Sequence, residues 1–247
     1  RNIDAERDAQ KQRETYISTL SHDLKIPTLA QIRALELIVN EKMGKINDGQ
    51  REILNLTLDS CYCMYDMLST ILATYKYENN DMTLNYEKIH MLKLLDECFS
   101  KSYKDMRHKN IRIKVQAKDK FVSLYADKNQ MKKAFENLIN YCVSNAYEDT
   151  EIVCEIGKHN DENNVFISLG FESPYVSSET IQNMFRMYTT SAEKMDKVGS
   201  SLSLYLAKQI INAHNGKINV ESKKSNYNNY SIEIPCINEC KLSAIAC

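Results

Sequence analysis

The residue with the clearest capacity for chemistry is His22, which Asp23 follows directly. In a helix that turns about 100° per residue, His22 lies roughly opposite Leu20 and Leu24, so its imidazole points off an apolar seam and toward water. The Asp23 carboxylate can orient and polarise that imidazole. Pro27 removes the amide that would bond to the Asp23 carbonyl, which predicts a kink just past the histidine. This arrangement favours a nucleophile that exchanges a group with a docked partner, although an ordinary surface histidine has the same features.

The eight cysteines and the remaining histidines are the other candidates for metal or redox chemistry. No two cysteines have the CxxC spacing, and Cys61 and Cys63 would point to different faces of a helix. Reduced thiols that pack as small hydrophobic side chains are the main interpretation, with a metal or redox role for the tail cysteines as the alternative. The tail cysteines are Cys236, Cys240 and Cys247. We expect no metal site at the other histidines, which lie far apart in the chain. They are His90, His108, His159 and His214.

The composition narrows the class of protein. The chain has 247 residues, with 32 Lys and Arg against 33 Asp and Glu, and a formal net charge of -1. This balance gives no electrostatic reason to expect nucleic acid as a partner. The 6 glycines argue against several glycine-rich phosphate loops. No apolar run reaches the length of a membrane span and there is no signal peptide. Because the sequence begins at Arg1, we expect a cytoplasmic fragment, and a membrane anchor in a longer parent stays open.

Residues 1 to about 78 are predicted to form two helices joined by a turn at 42–50. The apolar stripe of the first helix comprises Ile17, Leu20, Leu24, Ile32, Leu35 and Val39. The second helix has apolar residues at alternating spacings of four and three, which is a heptad seam. The seam residues are Leu54, Leu58, Cys61, Tyr65, Leu68, Leu72 and Tyr75. A second apolar flank needs further partners, and a homodimer whose hairpins form a four-helix bundle supplies them. The flank comprises Ile53, Leu56, Met64, Met67 and Ile71.

Residues from about 85 to 235 are predicted to mix helices and strands, after a boundary at Asn79–Asp81. Helices are predicted at 91–103, 131–146 and 201–213, and strands at 111–115, 152–156, 165–169, 217–222 and 230–234. Asn226, Asn228 and Asn229 predict the turn of the last hairpin. This order suits an α/β sandwich with helices on one face of a mixed sheet.

The segment around His22 resembles the H box of bacterial sensor histidine kinases. Tyr16–Pro27 reads YISTLSHDLKIP, with histidine, acid, lysine and proline at the spacing of that box. Residues 126–139 resemble the family's N box with its lead-in, 184–188 its F box, and 202–219 its last helix and following strand. The resemblance therefore extends over nearly the whole chain.

The resemblance implies an α+β protein of two domains. A dimerisation and histidine phosphotransfer hairpin would cover residues 1–80, and an α/β sandwich of the histidine-kinase ATPase type would cover 81–247. In this family ATP phosphorylates the histidine, which then passes the phosphoryl group to an Asp of a response regulator. His22 would be the phosphoacceptor, Asp23 would orient it, and Lys25 would offset phosphoryl charge.

The metal and adenine positions that the resemblance assigns depart from the family. The N box keeps Asn137 but has Tyr141 where a second Asn binds Mg²⁺, and a phenol is a poor ligand for that ion. Phe171 stands where an Asp accepts the adenine amino group, and a slip to Glu172 would turn the side chain to the other face of the strand. Tyr141, Phe171 and Tyr175 are predicted to fill the vacated pocket.

The glycine-rich motif at 199–203 and the H box also depart from the family pattern. Only Gly199 remains of the three glycines, since Ser201 and Ser203 occupy the next two positions. Backbone must approach phosphate closely there, which a side chain hinders. Ile26 replaces the Asn or Thr that positions a water for dephosphorylating the regulator, so phosphatase activity by that route is not expected.

The predicted function is a two-component signalling protein that exchanges a phosphoryl group between His22 and a response-regulator Asp but has lost ATP binding. No cofactor is expected, although ATP and Mg²⁺ are the family's own. The expected partners are a second copy of the chain, a receiver domain and, in some settings, an active histidine kinase. The alternatives are an active ATP-dependent sensor kinase that phosphorylates itself at His22, and a non-catalytic scaffold that heterodimerises with an active kinase.

Overall fold

The computed structural model describes residues 2–78, 83–118, 122–158, 164–186 and 198–236. The chain divides into two compact units, a first unit over Arg1–Asp81 and a second unit over Met82–Cys247. No helix within these ranges is long and apolar enough to cross a membrane.

The first unit is a hairpin of two long helices, α1 (Asn2–Val39) and α2 (Asp48–Glu78). Helix α2 begins where it does because Asn47 and Gln50 form a capping box: the Asn47 Oδ1 atom accepts from the Gln50 amide at 2.8 Å, and the Asn47 amide donates to Gln50 Oε1 at 3.0 Å. Across the turn, the Arg51 guanidinium donates to the Val39 carbonyl at 2.9 Å. The predicted hairpin is confirmed.

The heptad seam of α2 is the side that faces the hairpin core. Cys61, Leu68 and Tyr75 are buried, and the other seam residues are half-buried. The second flank is exposed in its first part, with Ile53 67% and Leu56 66% exposed, whereas Met67 and Ile71 are half-buried. One seam therefore satisfies the single hairpin, as the spacing predicts.

The packing face of α1 differs from the predicted apolar stripe. Ser21, Thr28 and Ile32 are buried, whereas Leu20 and Leu24 are 44% and 46% exposed. The Thr28 hydroxyl can be buried because it donates to the Leu24 carbonyl at 2.8 Å. Helix α1 continues through Pro27, and the kink there stays a prediction.

The second unit combines a five-stranded mixed sheet, a two-stranded sheet and helices. Its elements are β1 (Tyr86–His90), α3 (Met91–Lys101), α4 (Tyr103–His108), β2 (Arg112–Ala117), β3 (Ser123–Asp127), α5 (Lys128–Asn145), β4 (Glu151–Lys158), β5 (Asn164–Glu172), α6 (Ser178–Asn183), α7 (Val198–Ala213), β6 (Lys217–Lys223) and β7 (Tyr227–Pro235). The larger sheet has the order β2-β4-β5-β7-β6, with β2 and β4 parallel and the other pairs antiparallel. Strands β1 and β3 pair antiparallel. The predicted α+β class and mixed sheet are confirmed.

The core of the second unit lies between one face of the large sheet and its helices. Alternate residues of β4, β5 and β7 are buried while their neighbours are half-buried, which is the pattern of a sheet covered on one side. Helix α5 packs against both α3 and α7. It begins at Lys128 because the Asp127 carboxylate accepts from the Gln130 amide at 3.0 Å.

Candidate functional site

The predicted phosphoacceptor lies on the exposed face of α1. The side chains of His22 and Asp23 are each 68% exposed, and His22 Nδ1 lies 3.5 Å from Asp23 Oδ1. If Nδ1 carries the proton that points to the carboxylate, the Nε2 lone pair is open to an incoming partner. The imidazole is therefore exposed beside a carboxylate, within reach of a macromolecule that docks on this face.

Lys25 lies one turn beyond His22 on the same helix. Its ammonium sits over the ring of Tyr65 on α2, with Nζ 4.8 Å from the ring centroid. Both side chains are half-buried. Ile26 is 61% exposed, so an apolar side chain occupies the surface position where the resemblance assigns an amide or a hydroxyl.

Tyr230 is at the centre of a buried aromatic cluster between α5 and the sheet. The Tyr141 ring lies 5.7 Å from that of Tyr230 on β7, and the two side chains share a hydrogen bond. Phe171, at the end of β5, stacks on Tyr230 at 5.7 Å between centroids. Tyr141 is 7% exposed, and Phe171 and Tyr230 are each 1% exposed. Three rings thus occupy the region to which the metal and adenine positions were assigned.

The strand alternation fixes which side chain of β5 enters this cluster. Phe171 pairs with Asn228 in the register with β7 and lies on the buried face, whereas Glu172 is exposed on the other face. Glu172 is therefore not a substitute for the missing adenine contact. Tyr175, which was predicted to help fill the pocket, is 45% exposed. That prediction was wrong because β5 ends at Glu172, and Pro174 and Tyr175 lie on the surface beyond it.

Asn137, the retained N box residue, is engaged by a neighbouring helix. Its carboxamide nitrogen donates to the Ser203 carbonyl on α7 at 3.2 Å. Asn140 points elsewhere, since its side-chain oxygen accepts from Ser102 Oγ at 2.6 Å. The structure thus brings Asn137 and Ser203 together. Gly199 and Ser201 lie within the first turn of α7.

The segment that follows β5, at Ser173 and Pro174, is hydrogen-bonded to β7. The Asn228 carboxamide nitrogen donates to the Pro174 carbonyl at 3.0 Å and to the Ser173 hydroxyl. Ser173 and Asn228 are 3% and 1% exposed. Asn228 and Asn229 were predicted in a turn, but both lie in β7, and only Asn226 adopts the positive φ of a turn residue, at 60°. The sequence signal was ambiguous because Asn is common both in turns and beside them.

Three residues that the motifs did not single out shape these sites: Tyr65, Asn228 and Tyr230. Tyr65 appeared only as a seam residue and Tyr230 only as a strand residue. Alternation within the predicted strand would have placed Tyr230 on the same face as Ile232 and Ile234. Its contact with Tyr141 depends on how α5 crosses the sheet. The spacing of residues within a single element does not predict that crossing.

The thiols behave as small hydrophobic groups where the structure describes them. Cys98, Cys142 and Cys154 are buried, and burial raises the pKa of Cys98 and Cys154 to about 12. Cys61 is buried and Cys63 exposed on the same helix, as their spacing predicts. Cys240, Cys247, His159, Met187 and Tyr188 lie outside the described residues. Among the residues inside them, no three His, Cys, Asp or Glu side chains are grouped to hold a metal ion.

Comparison with known proteins matches residues 126–237 to the family described as "Histidine kinase-, DNA gyrase B-, and HSP90-like ATPase". The sensor histidine kinase YvrG of Bacillus subtilis is 22% identical over 216 residues, which are 87% of this chain and 37% of YvrG. The chain therefore spans little more than a third of that relative's length.

Solved structures show the same fold. The chain aligns with full-length ShkA in complex with AMPPNP at a TM-score of 0.74 and 16% identity, over 90% of this chain and 45% of that one. It aligns with histidine kinase ThkA in complex with response regulator protein TrrA at a TM-score of 0.63 and 17% identity, over 94% and 66%. Residues 126–237 thus match the ATPase family model, and the chain as a whole is similar to sensor histidine kinases in sequence and in fold.

Proposed function

We propose that this chain is a two-component signalling protein in which His22 exchanges a phosphoryl group with the aspartate of a response-regulator receiver domain, without using ATP. The observation that carries the proposal is the contrast between the two sites. The His22 imidazole is exposed beside a carboxylate, while aromatic rings fill the assigned nucleotide region.

The chemistry at His22 follows from its neighbour. With Nδ1–H directed to Asp23, the Nε2 lone pair attacks the phosphorus of a receiver aspartyl phosphate. An N–P bond forms, the P–O bond to the receiver carboxylate breaks, and that carboxylate leaves with the electron pair. The imidazole ring becomes cationic and keeps its Nδ1 proton, and the Asp23 carboxylate stabilises this charge. The reverse sequence returns the phosphoryl group to the receiver.

Loss of ATP binding is supported by two contacts. The phenol of Tyr141 is bonded to Tyr230 at the position assigned to a Mg²⁺ ligand. Phe171 is stacked on Tyr230 at the position assigned to an adenine acceptor. The residues present do not fit Mg²⁺ and ATP, so no step of the proposed transfer passes through them.

The proposed partners are a receiver domain and a second copy of the chain. The complex of ThkA with TrrA is a precedent among structures of similar fold. The exposed flank of α2 and the exposed Leu20 and Leu24 of α1 offer the apolar surface of a four-helix bundle between two hairpins. Because Ile26 lacks a polar group, we do not expect the chain to hydrolyse a receiver phosphate by positioning a water.

One labelling experiment with two phosphoryl donors tests the proposal. The purified chain is incubated with a panel of receiver domains labelled by [³²P]acetyl phosphate, and separately with Mg²⁺ and [γ-³²P]ATP. We expect label to pass from at least one receiver to the wild type and not to His22→Ala, and we expect no label from ATP. An intact sensor kinase serves as the positive control for the ATP arm.

Each other outcome points to a different alternative. Label from ATP at His22 would identify an active kinase and overturn the claimed loss of ATP binding. Label from a receiver that persists in His22→Ala would exclude His22 as the acceptor. No label from either donor would leave the scaffold function, which predicts an effect on a partner kinase that His22→Ala retains.

A further inference from the structure

The Lys25 side chain is held by a group on the other helix of the hairpin. Its ammonium lies 4.8 Å from the centroid of the Tyr65 ring, within the range of a cation–π interaction. A free lysine side chain samples many rotamers, and fixing it costs conformational entropy. The Tyr65 ring offsets part of that cost, so it restricts where the positive charge of Lys25 resides.

Lys25 is also a helical neighbour of His22. Residues three apart lie on adjoining parts of one helix face, with about 5–6 Å between their Cβ atoms. A phosphoryl group that arrives at the exposed His22 ring brings negative charge to this face. A cation that is already placed there stabilises the transfer more than one that must be ordered during the reaction.

We propose that Tyr65 is a positioning residue for phosphoryl transfer at His22, acting by holding the Lys25 ammonium on the face of α1 that presents the imidazole. This inference rests on the proposed function. It separates Tyr65 from the rest of the heptad seam, in which an apolar residue of similar size would serve the packing equally well.

The test compares Tyr65→Leu, which keeps an apolar seam residue but removes the ring, with Tyr65→Phe, which keeps the ring and removes the hydroxyl. The rate of transfer from a labelled receiver domain to the full chain is measured for each. We expect Tyr65→Leu to slow transfer about two- to fivefold, the range of an exposed cation–π contact, and Tyr65→Phe to transfer at the wild-type rate. In a Lys25→Met background, Tyr65→Leu should slow transfer no further.

A second readout does not depend on transfer. In the ¹³C-labelled chain, the aromatic ring current should shift the Lys25 ε-methylene protons upfield in the wild type and in Tyr65→Phe, and the shift should vanish in Tyr65→Leu. Lys25→Met assigns the signal. A lysine that shows no such shift in the wild type overturns the contact and the inference with it.

The outcomes separate this inference from the function on which it rests. If the wild type accepts phosphoryl and Tyr65→Leu does so equally fast, Tyr65 is not a positioning residue while the proposed function stands. The same conclusion follows if Tyr65→Leu slows transfer to the same extent with and without Lys25, since that is a packing effect. If the wild type accepts none, both proposals fail, and the ring-current shift then reports a contact that is structural only.

Discussion

Tyr141 and Tyr230 are two buried phenols that share one hydrogen bond. Burial raises the pKa of both side chains, with the hydrogen bond as a smaller influence. Both hydroxyls therefore stay protonated and neutral across the physiological range. A hydroxyl that is removed from water needs a partner, and each tyrosine supplies it to the other. The two tyrosines therefore occupy the space between α5 and β7, and their hydroxyl groups satisfy each other.

Removal of both hydroxyls together should cost less than the sum of removing each one alone. Tyr141→Phe leaves the Tyr230 hydroxyl buried without its partner, so we expect a loss of about 1–3 kcal/mol in the free energy of unfolding. The double variant Tyr141→Phe, Tyr230→Phe should lose less than the sum of the single variants, because no donor is then left unsatisfied. Urea unfolding of the four proteins measures this. Additive losses would mean that the two hydroxyls do not depend on each other.

At the scale of whole elements, His214 connects the end of α7 to the start of α5 through hydrogen bonds. Its Nδ1 atom donates to the Ile210 carbonyl at 2.7 Å, and its Nε2 atom accepts from the Asp127 amide at 3.1 Å. The Asp127 carboxylate in turn accepts from the Asn85 amide at 3.0 Å, just before β1. Because Nε2 is an acceptor, this connection exists only while the imidazole is neutral. Burial accordingly lowers the pKa of His214.

Acid should therefore weaken the second unit through His214. The unfolded chain binds a proton at this residue below pH about 6.5, whereas the folded chain resists protonation until its lower pKa is reached. The stabilisation is full above pH 6.5 and falls by up to about 1.4 kcal/mol per pH unit below it. We expect His214→Gln to be less stable than the wild type at pH 7.5, with a smaller difference at pH 5.

The matched control His108→Gln, at an exposed site, should show no such pH dependence in urea unfolding. If His214→Gln lowered the free energy of unfolding equally at both pH values, the connection would not depend on a neutral imidazole.

The sequence predicted those elements whose buried residues recur at a regular spacing along the chain. Helix α2 follows its heptad seam, and β4, β5 and β7 follow strict alternation. The missed elements lack such a period. Strands β1 and β3 have five residues each and pair with one another across 32 intervening residues, and α6 has six. The pairing of β1 with β3 depends on contacts formed only after the chain folds, whereas α6 has a local signal in its Ser177 cap, which periodicity does not detect.

The same distinction applies to the sites. Motif spacing singles out His22 and Asp23 as candidates because the two residues of the proposed chemistry are adjacent on one helix. Alternation placed Phe171 rather than Glu172 on the buried face. The contacts of Tyr141 with Tyr230, and of Lys25 with Tyr65, join elements that are far apart in sequence. Such contacts depend on the position and angle at which two elements cross. The spacing of residues within one element carries no information on that crossing.

The molecule as a whole retains apolar surface that a single copy does not cover. On α2 this surface includes Ile53, Leu56 and Met64, and on α1 it includes Leu20 and Leu24, each between 44% and 67% exposed. Side chains of this kind repeat along both helices rather than occurring singly, which is typical of an interaction surface. The partner proposed above, a second hairpin with the same two stripes, would cover this surface, because a two-fold axis brings like surfaces together.

A single charge on this surface should therefore dissociate the proposed dimer without unfolding the hairpin. Leu56→Lys removes about 1.5–3 kcal/mol of burial from each copy, and the substitution occurs twice in a dimer. We expect the dissociation constant to rise at least a hundredfold. Asn55→Lys is the matched control, since it adds the same charge at the adjacent exposed position, on the side of the helix away from the apolar flank. Light scattering coupled to gel filtration should give a dimer for the wild type and Asn55→Lys and a monomer for Leu56→Lys, while the helical circular dichroism of all three stays equal. A wild type that is monomeric at high micromolar concentration would show that the flank serves another partner. The scaffold function would then gain support, because a heterodimer with a second kinase uses this same surface.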